Sequence, residues 1–257
     1  MKTKNFVFSS ILILFFVTGI LFFVSCKKEN NETLVVKDDK YALYNVGKLH
    51  NEALEYYYKN RTKFNSISSL NDILSESISL TSEYLVSQGF EKDKVLKAKT
   101  MVENSLIYNT LKGSSELKFS MNPTSFIDQL NQQNQNSVEF IENVNQLLIL
   151  VQKDENEETV KDYVNNVFAK VQYSSQSDIE AQEVFVNIFN NSYNFWVSSP
   201  HTSSLKSVKM KGSSWVILND GIGGILGSAF GPIGSIALAT TFSIGTNETL
   251  KFFFFVI

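Results

Sequence analysis

The chain is poor in the residues that carry most protein chemistry. Its 257 residues hold one Cys, Cys26, two His, His50 and His201, and three Pro. A single Cys excludes an internal disulfide framework and a thiolate zinc cluster. Neither His has a second one at helical spacing, so the two-His zinc-hydrolase helix is absent and no metal site is expected. Charge of one sign is lacking as well: 23 Lys and Arg against 26 Asp and Glu give −3. With no Lys/Arg block, nucleic acid is not an expected partner. Also missing are a Gly-x-Ser-x-Gly elbow and a phosphate-cradling Gly-x-x-x-x-Gly-Lys-Ser. These absences leave no expected cofactor and no expected enzymatic activity.

What the chain does have begins at its N-terminus. Lys2 and Lys4 precede an apolar run from Phe6 to Val24, broken only by Ser9, Ser10, Thr18 and Gly19. Residues 1–25 therefore read as an export signal. The following Phe23-Val24-Ser25-Cys26 resembles the lipobox of bacterial lipoproteins, with Phe23 where Leu is usual. The resemblance implies cleavage before Cys26, with Ser25 as the small preceding residue, and lipid attached to Cys26. Each buried CH₂ of an acyl chain contributes about 0.8 kcal/mol, and stable anchoring takes more than one chain. An uncleaved transmembrane anchor is one alternative, since about 20 apolar residues span a bilayer, and a buried helix is the other. The position of the only Cys favours lipidation. Loss of Lys2 and Lys4 with the leader takes the net charge from −3 to −5.

Residues 26–40 are polar and read as a flexible tether. Lys27, Lys28, Glu29 and Glu32 are also similar to the surface-export signals of Bacteroidota lipoproteins, with the acidic residues scattered. The expected location is the bacterial cell envelope, at the outer membrane, with the membrane itself as partner through the lipid on Cys26.

From 41 to 199 apolar residues recur at helical spacing and Gly and Pro are scarce. Val46, Leu49, Ala53 and Tyr56 or Tyr57 line a first helix. Leu70, Ile73, Leu74, Ile78, Thr81 and Leu85 line a second, opened by Ser68 or Ser69 and closed by Gly89. Val95, Ala98, Val102 and Leu106 line a third, with Gly113 just beyond its end. A fourth spans Thr124 or Ser125 to Gln152, unless the polar tract Asn131 to Asn136 divides it. Val160 to Val171 give a fifth, and Ile179 to Trp196 a sixth that stops before Pro200. The expected fold class is all-α, a multi-helix bundle-like domain.

The first helix carries Gly47-Lys48-Leu49-His50-Asn51-Glu52-Ala53-Leu54. This is similar to the Gly-x-x-His-Asn-x-x-Leu helix of uncharacterised Bacteroidota exported proteins, which also end in a glycine-rich segment. His50 and Asn51 are the candidate binding pair; the competing reading has them cap a neighbouring helix or fill a polar notch in the core.

Residues 200–219 read as a linker bearing Lys206, Lys209 and Lys211, and residues 220–257 as a glycine-rich apolar segment. Gly223, Gly227 and Gly231 sit four apart, and Ser235 continues the series, giving a helix strip where another backbone can approach closely. Asp220 is placed to cap this helix. Gly231-Pro232 is expected to break it into halves, 220–230 and 233–242, packed as a hairpin. Membrane insertion and a flexible loop are the alternatives. The last residues, Phe252 to Ile257, are an apolar run that needs packing to avoid aggregation.

The expected function is a lipid-anchored envelope protein that binds or scaffolds, with the glycine segment serving close helix contact, self-association or a protein partner. The alternative is a membrane-active protein that inserts the same segment into a bilayer.

Overall fold

The computed structural model describes residues 37–61, 69–113, 123–153, 157–198 and 211–255. Eleven α-helices and one 3-10 turn make up these residues, with no strand among them, so the chain is all-α. Residues 1–36, with the leader, Cys26 and most of the tether, lie outside the described residues, as do His201, Lys206 and Lys209.

Local signals set most helix ends. Helix α1 (Asp39–Tyr44) starts where Asp38 accepts a hydrogen bond from the Tyr41 amide at 2.8 Å. Helix α2 (Val46–Asn60) follows after Asn45. In α3 (Leu70–Ser87), Ser69 and Asp72 form a reciprocal capping box. That helix ends at Gly89, whose φ of +92° is the left-handed conformation glycine adopts without strain. Lys37 donates to the Gly89 carbonyl at 3.1 Å, so order begins before residue 41.

The expected third helix is two, α4 (Lys92–Glu103) and α5 (Leu106–Gly113). Ser105 divides them because its Oγ donates back to the Val102 carbonyl and accepts from the Tyr108 amide. The Gln/Asn tract also divides, into α6 (Pro123–Gln133) and α7 (Val138–Gln152), with Asn134 at φ +50°. Then come α8 (Glu157–Asn166), the 3-10 turn Phe168–Lys170, and α9 (Gln176–Ser198).

The last two helices, α10 (Lys211–Ser228) and α11 (Gly231–Phe255), form the expected hairpin at the centre of the fold. They differ from the sequence reading in extent. Residues 214–219, assigned to a linker, are buried in α10, and α11 continues to Phe255. Every residue from 214 to 227 and from 233 to 247 is buried. A helix that is apolar on all sides has no face to give to water, which is why this pair occupies the middle.

The other helices are amphipathic and form a sheath around it. Helices α1 to α4 pack on α11, and α6 to α9 pack on α10. The sheath closes where α2 meets α9. No helix among the described residues is long and apolar enough to cross a membrane.

The hairpin is held by backbone approach. A Cβ on Gly227 would lie 2.5 Å from the Gly234 carbonyl oxygen and 2.7 Å from the Ser235 Cα. One on Gly223 would lie 2.9 Å from the Ala239 Cα. Gly231 does not belong to this seam, contrary to the reading from its spacing. A Cβ there would meet nothing within 4 Å, and its φ of +77° makes it the turn residue. Pro232 follows in the first turn of α11, where a missing N–H costs no helical hydrogen bond.

Gly227→Ala forces two backbones apart and is expected to lower unfolding free energy by about 3 kcal/mol. Gly231→Ala meets only the left-handed penalty, about 1 kcal/mol. Urea titrations of both variants check this; equal losses would contradict the seam.

Candidate functional site

The residues singled out in the first helix meet a group that the sequence reading had placed elsewhere. His50 and Asp220 are both fully buried, and His50 Nε2 lies 3.7 Å from Asp220 Oδ2. Asp220 is not the N-cap of the glycine helix. It sits in the middle of α10, because the helix begins nine residues earlier at Lys211. Between Lys211 and Glu248 it is the only ionisable side chain.

Each residue of the motif in α2 has a contact that explains it. Gly47 lets α2 cross α9 closely: its amide donates to Asn187 Oδ1 at 2.8 Å, and a Cβ would run into Asn187 and Asn191. Asn51 Nδ2 donates to the Asn191 carbonyl at 2.9 Å. Its Oδ1 therefore faces His50 Nδ1, 3.1 Å away, as an acceptor. That assignment places the ring hydrogen on Nδ1 and leaves Nε2 as a bare lone pair turned toward Asp220. Leu54 completes the motif in the main hydrophobic core. The four residues thus join α2 to α9 and to the hairpin.

Three further groups surround the carboxyl. Ser192 Oγ donates to Asp220 Oδ2, and Trp196 Nε1 donates to the same oxygen at 3.0 Å, both from α9. Ser243 approaches from α11. Burial dominates the energetics and pushes Asp220 up to about 8, while Ser192, Ser243 and Trp196 pull it partly back. Burial also lowers His50 to about 4, opposed by Asn51 and the Ala239 backbone. Near neutral pH the site therefore holds an uncharged imidazole beside a protonated carboxyl.

A second polar clasp fastens the far end of the hairpin. Arg61 Nη1 pairs with Glu248 Oε1 at 2.9 Å, and Asn247 Nδ2 donates to Tyr58 Oη. Inside the hairpin, Asn219 Nδ2 donates to Thr246 Oγ1 at 3.0 Å.

The site contains His, Asp and Ser, but both Ser192 and His50 address Asp220 and neither addresses the other. An acyl-transfer arrangement instead needs the Ser on the imidazole. No three His, Cys, Asp or Glu side chains gather as a metal site among the described residues. Open surface grooves among the described residues lie elsewhere: one between α1 and α9 beside Tyr44, Glu183 and Asn190, another beside Glu55, Tyr56 and Lys59. His50 and Asp220 line neither.

Set against known proteins, the chain matches no family model, no curated sequence and no solved structure.

The two buried groups set a pH profile. Folded Asp220 retains a proton that the unfolded chain releases above about 3.8, so its contribution falls as pH rises toward 8. His50 has the opposite sign: its contribution is full above 6.5 and falls as pH drops toward 4. The slopes oppose each other between about 4 and 6.5, and Asp220 acts alone from 6.5 to 8. Urea unfolding should show stability falling across that upper window, by at most about 1.4 kcal/mol per pH unit. A rise there would contradict the assignment.

Proposed function

We propose that the protein is a lipid-anchored component of the bacterial cell envelope. In this reading residues 1–25 direct export, acyl chains on Cys26 hold the chain to the membrane, and the helical body acts by binding or scaffolding. The observation that carries it is the way the body closes on itself. The apolar hairpin is buried inside its own sheath, and Gly223 and Gly227 spend their close approach on α11 of the same chain. A body so closed supports attachment through a terminal lipid.

The same fact moves the expected partner surface. With the glycine seam filled from within, partners meet the outer helices, which include the groove between α1 and α9. Tyr44 is 67% exposed at its edge, and Glu183 supplies an exposed acidic group. Hydrogen bonds already tie up much of the amide lining: Asn190 and Asn165 donate to each other, and Asn191 donates to the Asn187 carbonyl.

Expression with labelled palmitate, followed by membrane fractionation, tests the reading. The wild-type chain should incorporate label and sediment with membranes, whereas Cys26→Ser should incorporate none and lose lipid attachment. Equal labelling and sedimentation of both forms would overturn it. Dye release from lipid vesicles by the purified wild-type protein would instead favour insertion of the glycine segment into a bilayer.

A further inference from the structure

The chain enters the helical body at a fixed place. The Lys37 amide donates to the Gly89 carbonyl at 3.1 Å, and Lys37 forms a single parallel bridge with Phe90. The Lys37 ammonium lies over the rings of Tyr41 and Phe90, 4.8 and 5.9 Å from their centroids. Helix α4 begins just after this contact, at Lys92. It buries Val95, Ala98 and Val102 against the body. Its other side, with Lys92, Leu96, Lys97, Thr100 and Met101, faces outward.

That outward side is basic and apolar at once. Leu96 and Met101 are exposed there, and Leu106, which opens α5 just beyond, is 62% exposed. Thr100 spends its hydroxyl on the Leu96 carbonyl at 2.9 Å. Lys94 pairs with Glu91 and Lys99 with Glu103, whereas Lys92 and Lys97 make no ion pair among the described residues. The carboxylate on the same side, Asp93, stands in the first turn, where the helix N-terminus attracts it.

We infer that this side of α4 is the face the body turns to an anionic phospholipid surface. Lys92 and Lys97 meet the headgroup phosphates, and Leu96, Met101 and Leu106 enter the boundary between headgroups and acyl chains. The inference rests on the proposed lipid at Cys26 and adds which part of the body that lipid brings to the membrane. The chain from Cys26 to Lys37 reaches at most about 40 Å. Helix α4 is about 18 Å long and starts beside Lys37, so all of it falls within that reach. A face held this way meets the bilayer at high effective concentration, and a few weak contacts suffice to orient it. Each lysine near an anionic surface favours the docked state about fivefold.

Full-length protein, purified with its lipid and reconstituted on vesicles of phosphatidylethanolamine and phosphatidylglycerol, tests the face. A fluorophore on Thr100→Cys should be quenched by doxyl lipid in the bilayer and shielded from acrylamide in the water. One on Val138→Cys should show the opposite, because Val138 is exposed on α7, which packs on α10, whereas α4 packs on α11. Lys92→Gln combined with Lys97→Gln should lower the docked-to-free ratio at position 100 about twenty-five-fold. The double variant should still float with the vesicles, since the lipid on Cys26 is untouched. Flotation with equal quenching at both positions would overturn the face and leave the anchor standing, as would an unmoved ratio in the double variant. Failure of the wild-type chain to float, or uptake of the dye by its Cys26, would overturn the anchor and the face with it.

Discussion

The fold depends on keeping water away from an apolar hairpin with one ionisable side chain between Lys211 and Glu248. Neither helix of the pair has a polar face, so neither can serve as an outer layer. The two must sit side by side in the centre, and the contact between them must be close enough to leave no gap. Gly223 and Gly227 meet that requirement by letting one backbone rest on the other. The remaining described helices then have a simple task, to turn an apolar face inward and a polar face outward around this axis.

Asp220 is where that arrangement is under most stress. A carboxyl in the middle of a buried helix is costly when charged, and the surrounding groups only partly relieve the cost. It is tolerated because it stays protonated and because His50, Ser192 and Trp196 converge on it from two sheath helices. Such a cluster does little for net stability compared with apolar packing of the same volume, but it is selective about register. A one-residue slip of α10 would turn the carboxyl away from His50, Ser192 and Trp196. The motif in α2 reads well in these terms: glycine for the crossing, Asn for the sheath, His for the hairpin and Leu for the core.

Much of the architecture was legible because local signals and periodicity agreed. Ser69 and Gly89 bound α3 as their residue types suggest, and the amphipathic spacing of α7 and α9 gives their buried faces. The hairpin was legible as well, from Gly231-Pro232. Its dimensions were not. The polar stretch before Trp215 looks like a linker, yet the helix already begins at Lys211 and is buried from Ser214 onward. Gly231 shares the spacing of Gly223 and Gly227, and spacing alone does not separate a small residue needed for packing from one needed for positive φ. Asp220 was misplaced for a related reason: a lone acidic residue ahead of an apolar run has the look of a cap. Its isolation among uncharged residues was the available clue, since such a charge needs a partner and His50 was waiting for one.

The seam within a single chain is the most exposed claim. A nuclear Overhauser experiment on the purified protein, with labelled and unlabelled chains mixed, measures it directly. Cross-peaks between Gly227 and Ser235 and between Gly223 and Ala239 should arise within one chain. Their absence, or their appearance only between differently labelled chains, would contradict a fold built around its own hairpin.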